Sequence, residues 1–486
     1  MFRERIKSSV ILILIVNLVF MTCRLWFANE YSNAGEVFWD YIQKIPVVQR
    51  FFPPEEHYSI PKKNLSLPRR FLINDGSLWM VYYNTDIGFS PIEERSADIL
   101  RGFLRGDINA SKKVDTDTWE AALESMSIYI EYPISFSMEV FSQVMGIKPE
   151  KLPSEIKSVR DFVIVPSSDE SDICLFVKDA SESNTIYAYM LSNKYNFPAS
   201  DLSVYTENDK DYYEPAFSTG LVLSKSSNVK LSPLVLFSDS QPDTDVLRAD
   251  SLLDERSERI ILESFYFNPD TSNKYKSADG ARNFIENYAS LTFYPDSVFE
   301  YKSVSDSRGI SIDTGETAYG ALNAAIDFAE QVWSKTTDEP FSMLVTSNLS
   351  DFSPSEPFTF RFNYYYNGRP IEILLDEQYG HKEMQCSVEI TVSAGKIISY
   401  RQYMQTYHTT QSRALGSDFI TALDYFVTNI GSEQKPETIK DIYIGYLNQG
   451  KSDTLSACWM AKTAESTKIY SYEPKIEEVN DELEQD

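Results

Sequence analysis

The sequence predicts an α+β fold class: a single N-terminal transmembrane helix plus a multi-domain ectodomain of antiparallel sheets with covering helices. Three observations carry this. Ser8 to Cys23 is free of charge and follows Arg3, Arg5 and Lys7. The remainder holds many short β-branched and aromatic runs separated by polar turns, the pattern of antiparallel strands. Between them lie a few stretches with apolar residues at helical spacing.

The anchor comes first. A membrane span wants roughly 20 apolar residues. The run reaches that length from Ile6 to Phe27, with Lys7 and Arg24 able to snorkel at its ends. Arg24, Trp26 and Phe27 mark the outer membrane boundary, and the leading cations put the N-terminus in the cytoplasm. A cleaved signal peptide ending near Ser32-Asn33-Ala34 and a lipoprotein signal using Cys23 are the rival readings. An uncleaved signal anchor is preferred, because the small residues lie far beyond the run and Phe20-Met21-Thr22 is bulky. Asn17 sits mid-run, where its amide needs a partner. Either it bonds its own backbone or it contacts another transmembrane helix.

At 486 residues the chain can bury several cores, about two to four domains. Residues 1–30 form the cytoplasmic end and anchor, and 31–70 a juxtamembrane linker around Pro53-Pro54. An N-terminal α+β domain follows at 71–237. Within it, 91–146 reads as helical: a helix from Pro91, one capped by Asp117, and a third ending at Gly146. Strands follow at Phe162–Pro166, Ile173–Lys178 and Ile186–Leu191. The polar stretch Ser238–Asp254 reads as flexible.

A middle domain spans 255–405. It begins with a strand at Phe265-Tyr266-Phe267, a meander through Gly280–Glu286, Leu291–Phe293 and Val298–Val304, then a helix from Gly315 to Trp333. Two hairpins follow. Phe358–Tyr366 meets Asn367-Gly368, a strong hairpin marker, and Cys386–Val392 turns at Ala394-Gly395. A C-terminal module at 406–473 adds a helix over Ser417–Ile430 and strands at Ile442–Leu447, Ser456–Lys462 and Lys468–Tyr472. Two helix-then-sheet modules in succession form a modest internal repeat, each helix covering its own sheet. Residues 474–486 form an acidic tail.

The net charge is −27, and because the first nine residues carry +2 the rest carries −29. Such a surface repels nucleic acid and anionic lipid. Catalysis at neutral pH usually wants His, Cys, a metal or paired carboxylates. Only His57, His381 and His408 are present, without metal-ligand spacing, and they read as surface or satisfied histidines. Cys174, Cys386 and Cys458 lack C-x-x-C spacing and read as buried free thiols. There is no G-x-S-x-G, P-loop or dinucleotide fingerprint. Ser154–Lys157 and Ser393–Lys396 match S-x-x-K without its companion motifs. Asp115, Asp117 and Glu120 read as the acidic start of a helix. Thus no enzyme, cofactor or metal is expected. Tyr364 and Tyr366 share one strand face. Cross-strand packing is the favoured reading there, and a ligand platform the alternative.

The layout resembles the YycH-type regulators of the essential cell-wall two-component system of low-GC Gram-positive bacteria. The resemblance rests on Phe265-Tyr-Phe-Asn-Pro269, Tyr275-Lys-Ser-Ala-Asp-Gly280 and Ser290-Leu-Thr-Phe293. Ser387-Val-Glu-Ile-Thr-Val392 and Gly395-Lys-Ile397 add to it. The helix-plus-hairpin modules are also similar to the related YycI regulator and to PepSY-type domains. The departures are the strongly acidic ectodomain and many inserted polar loops. The resemblance implies no catalytic residue. It implies a single-pass cell-membrane protein with its bulk extracytoplasmic, modulating a sensor histidine kinase alongside a sister regulator of YycI type. A membrane-tethered binding protein for cell-wall polymer or peptide is the alternative.

Overall fold

The computed structural model describes residues 67–473, apart from 84–85, 87, 149–151, 167–171, 182–184, 193–194, 196, 207–212, 220–227, 238–241, 287, 315–316, 340–341, 351, 354–355, 377–380, 433–435 and 465–468. The anchor with Asn17, Arg24, Trp26 and Phe27, the linker up to residue 66 with His57, and the tail 474–486 lie outside them. No helix among the described residues is long and apolar enough to cross a membrane.

The first sheet has seven strands. Their spatial order is Trp79–Tyr83, Arg70–Asn74, Ser127–Ser137, Ser158–Pro166, Asp172–Asp179, Ile186–Ser192 and Ile108–Val114, all antiparallel. Its strands alternate faces residue by residue. Phe71, Ile73, Ile128, Ile130, Phe162 and Ile164 share a core with the helices Phe89–Leu104 and Met138–Val144. Leu72, Tyr129 and Val163 point the other way, to Trp119 and Leu123 of the helix Thr116–Glu124. A strand buried on both faces reads as a continuous apolar run, as Phe162-Val-Ile-Val165 does.

The second sheet has sixteen strands among the described residues. Its long path begins with the meander Asn273–Lys276, Arg282–Glu286, Ala289–Phe293 and Val298–Ser303. It continues through Lys396–Tyr403, Val388–Ser393, Phe358–Tyr366 and Arg369–Ile373, and ends with Glu437–Asn448, Thr454–Thr463, Asp243–Ser251 and Gln405–Ala414. Both hairpin turns are as the sequence requires. Asn367 and Gly368 have φ of 46° and 75°, and Ala394 and Gly395 have φ of 45° and 71°. Two successive positive φ values match the right-handed strand twist. The helices Glu255–Ser264 and Ala318–Thr336 pack on this sheet, and Phe419–Gly431 lies against its C-terminal strands. Leu322, Ala325, Ile326, Ala329 and Trp333 form the buried stripe that their spacing predicts.

Several expectations are corrected. The segment 91–146 is not wholly helical: Ile108–Val114 and Ser127–Ser137 are strands. The latter is interrupted by Pro133 and carries Glu131 among apolar residues, which blurs its alternation. The helix cap is Asp115, whose side chain accepts from Thr118 N, with Asp117 inside the first turn. The polar stretch before Asp254 contains the strand Asp243–Ser251. A register shift between Val246 and Leu247 buries two consecutive residues and breaks the period. Phe265–Phe267 is no strand but follows the helix Glu255–Ser264, whose N-terminus Asp254 and Ser257 close as a reciprocal cap. The middle and C-terminal modules do not each own a sheet. The strand Arg369–Ile373 pairs in parallel with Tyr446–Asn448 and joins them into one.

That seam depends on Gly445. A β-carbon there meets the Pro370 carbonyl oxygen at 2.9 Å and both Met460 Sδ and Pro370 Cγ at 3.2 Å. Gly445→Val is expected to destabilise the protein by roughly 1–3 kcal/mol, because the clash is with backbone and cannot be relieved by a rotamer change. Urea unfolding of the two proteins measures it.

Candidate functional site

Charges in the middle of otherwise apolar strands build the site. Glu131 interrupts Ile128-Tyr-Ile-Glu-Tyr132, Glu372 interrupts Ile371-Glu-Ile373, and Asp441 precedes Ile442-Tyr-Ile444. All three are buried. A buried carboxylate demands a cation and hydrogen bonds. Glu131 receives Arg70 Nε at 2.6 Å, pairs with the Arg160 guanidinium and lies 3.6 Å from Arg69 Nη1. Arg69 also pairs with Asp441, and Arg70 Nη1 lies 3.6 Å from the same carboxylate. These bonds join the first sheet, which holds Arg70, Glu131 and Arg160, to the strand Glu437–Asn448 of the second. Burial alone would raise the Glu131 carboxyl, but Arg70, Arg160 and Arg69 outweigh it and hold it far below the usual carboxylate range.

Glu372 forms the second knot. Lys462 Nζ donates to it at 2.8 Å, the Tyr443 hydroxyl at 2.7 Å and Asn363 Nδ2 at 2.5 Å. Burial opposes its charge, yet Lys462 and these hydrogen bonds keep its carboxyl below the ordinary value. Arg69 stacks 5.4 Å from the Tyr443 ring and Lys462 stands 5.0 Å from it. The third knot is Glu389, which accepts from Arg401 Nε at 3.0 Å and Arg361 Nε at 3.2 Å. Arg401 also donates to the carbonyls of Lys382 at 2.9 Å and Glu383 at 3.1 Å, fixing that loop.

The three knots border one cleft of about 1100 Å³. Tyr365 lines it. Its neighbours do not: Tyr364 is buried on Trp333, its hydroxyl donating to Tyr403 O at 2.9 Å and accepting from Gln402 at 2.8 Å. Tyr366 is half-buried and shares a 2.9 Å hydrogen bond with Thr409 Oγ1. Packing therefore accounts for Tyr364, and the residue on the opposite strand face is the one at the cleft. Sequence reading missed Arg69, Arg70, Glu131, Arg160, Glu372 and Asp441. Only the acids Glu131 and Glu372 carry a local signal, since an acid centred in an apolar strand announces a buried cation elsewhere without naming it.

His381, beside the cleft rim, is buried. Its Nε2 lies 2.6 Å from Asp296 Oδ2 and its Nδ1 lies 2.7 Å from Lys382 O. Two acceptors call for two N–H donors, which is the imidazolium. Burial opposes that charge, but the bonds to Asp296 and Lys382 raise the histidine above its ordinary value. A raised folded value stabilises fully below the unfolded one, near 6.5, and the contribution is lost as pH rises through the folded value. His381→Gln is therefore expected to cost roughly 1.5–3 kcal/mol at pH 6, the worth of a charged hydrogen bond, and less at pH 9. Denaturant unfolding at both pH values checks it. His408 is half-exposed, 4.0 Å from Asp250.

Cys386 and Cys458 are buried and Cys174 half-buried, all three unpaired. Burial pushes the Cys174 thiol up to about 11 and Cys458 up to about 12, so both stay protonated at neutral pH. Among the described residues no group of three or more His, Cys, Asp or Glu is placed to hold a metal.

This architecture is found in a known crystal structure, that of YycH from Bacillus subtilis, with a TM-score of 0.55 and 12% identity over 85% of this chain and 97% of that one. The fold is similar to that of YycH. No family model matches the sequence, and no curated protein matches it. At this identity the shared arrangement of mostly antiparallel sheets and a few helices is what YycH and this chain have in common.

Proposed function

We propose that the chain is an extracytoplasmic accessory regulator, held at the cell membrane by its N-terminal helix, that modulates a two-component sensor histidine kinase in cell-wall homeostasis. The carrying observation is the likeness to YycH across nearly the whole of that protein. The basic end, the apolar run to Cys23 and the aromatic boundary at Trp26 and Phe27 support the topology. In this reading the kinase and a sister regulator of YycI type are the partners, and Asn17 is the contact within the membrane. Regulation of this kind needs differential affinity for two kinase states and no reaction.

Two experiments test it. Deleting the gene is expected to change kinase-dependent transcription, and unchanged transcription rejects the proposal. Replacing Met1–Phe27 with an unrelated membrane helix separates the roles of the anchor: a simple tether tolerates the exchange, whereas a helix that packs on the kinase does not.

A further inference from the structure

The cleft between the charge knots has a sign opposite to that of the protein. Among the described residues, eight Lys and Arg and five Asp and Glu side chains line it, in a chain of net charge −27. The cations are unequally satisfied. Arg69, Arg160 and Lys462 each reach a buried carboxylate, Asp441, Glu131 and Glu372 respectively. Arg361 must share Glu389 with Arg401. Arg369 donates to the backbone carbonyl of Asp243 at 2.9 Å. Exposed Lys382 and Lys440 have no carboxylate partner among the described residues. A recess with low-dielectric walls and one sign of excess charge focuses its field and concentrates the opposite charge.

We infer that this cleft binds an acidic peptide segment of another protein, whose carboxylates meet Lys382, Lys440, Arg361 and Arg369 and whose apolar side chains cover the rings between them. The planar guanidinium forks suit carboxylates. The peptide chemistry follows from what interleaves with the cations. Tyr83, Tyr365 and Tyr443, with Leu344, Ile444 and Ile469, give the same walls an apolar share. A polyphosphate offers nothing to cover those surfaces, whereas a peptide that mixes Glu or Asp with aliphatic residues satisfies both. The volume, about 1100 Å³, exceeds the usual range for small-molecule pockets, roughly 300–1,000 Å³. The inference goes beyond the regulatory proposal and stands whether or not a kinase is the target.

The test uses the full chain in detergent micelles and a fluorescent peptide of alternating Glu and Leu. Its counterpart with Lys in place of Glu, and inorganic polyphosphate, serve as comparisons. The Glu peptide is expected to bind at low salt and to weaken as salt rises. The Lys382→Gln/Lys440→Gln double variant, at two exposed positions, is expected to bind at least tenfold more weakly while melting as the parent does. Equal binding of the Glu and Lys peptides by the parent chain overturns the inference without recourse to any variant. So does an unchanged affinity in the double variant. Binding of polyphosphate with none of the Glu peptide rejects the peptide chemistry.

Discussion

Glu131→Gln is expected to destabilise the protein by about 3–5 kcal/mol, the cost of removing one partner from a buried ion cluster. Glutamine preserves the volume and an acceptor oxygen, so packing is not at issue. What is lost is the negative charge facing Arg70 at 2.6 Å, Arg160, and Arg69 at 3.6 Å. Arg69 and Arg70 would then share Asp441, and Arg160 would be left with Asp161 at 3.8 Å. The effect has a pH signature. A carboxyl held below its unfolded value stabilises fully above that value, near 4.5, and its contribution is lost as pH falls through the folded one. The gap between parent and variant is therefore widest from pH 5 to 8 and closes only in strong acid. Urea unfolding at pH 7 and in acid measures both. Asp441→Asn is the informative control. It cuts the link to the second sheet but leaves Glu131 with Arg70 and Arg160, so roughly 1–3 kcal/mol is expected, the cost of one imperfectly paired buried group. If the two variants cost the same, the cluster serves the contact between sheets rather than the first sheet itself.

That cluster shows where sequence reading stops. The hairpins at Asn367-Gly368 and Ala394-Gly395 were legible because their turn geometry is local. The helix over Ala318–Thr336 was legible because its buried stripe repeats at helical spacing. Asp243–Ser251 was not, because a bulge breaks the period of two and its stability comes from partners far along the chain, Gln405–Ala414 on one side and Thr454–Ser456 on the other. The cleft was illegible for a related reason. Its charges come from positions as distant as Arg69 and Asp441, 372 residues apart. Glu131 and Glu372 could be noticed as acids in apolar strands, but nothing local names their partners. Tyr364 to Tyr366 lay between these cases: alternation placed Tyr365 opposite its neighbours, and only the fold decides which face is core.

Phe265→Ala is the second large effect, expected to cost about 3–5 kcal/mol, the range for truncating a buried phenylalanine. The aromatic triplet Phe265-Tyr266-Phe267 mimics a strand because β propensity measures fit to a half-buried surface rather than a backbone preference. In the structure Phe265 closes the helix Glu255–Ser264, and its ring is 2% exposed. The ring centroid lies 5.1 Å from both Tyr301 and Phe328, 5.2 Å from Tyr400 and 5.7 Å from Phe299. One side chain thus ties this helix to the helix Ala318–Thr336 and to the neighbouring strands Val298–Ser303 and Lys396–Tyr403. Three of the four partners, Phe299, Tyr301 and Tyr400, sit on strands paired on both sides, and Phe328 on a buried helix, so the cavity left by alanine cannot collapse easily, which puts the cost toward the upper end. Tyr266 supplies the control within the same motif. It is 77% exposed with φ of 63°, a conformation in which glycine is unstrained. Tyr266→Gly should therefore shift stability by less than about 1 kcal/mol in either direction. Thermal or urea unfolding of the two variants separates a packing role from β propensity. Were the triplet a strand, Phe265 and Phe267 would face one way and Tyr266 the other, and Tyr266→Gly would carry the penalty of glycine in a strand. A negligible cost for Phe265→Ala would remove this ring as the joint between the two helices and the sheet.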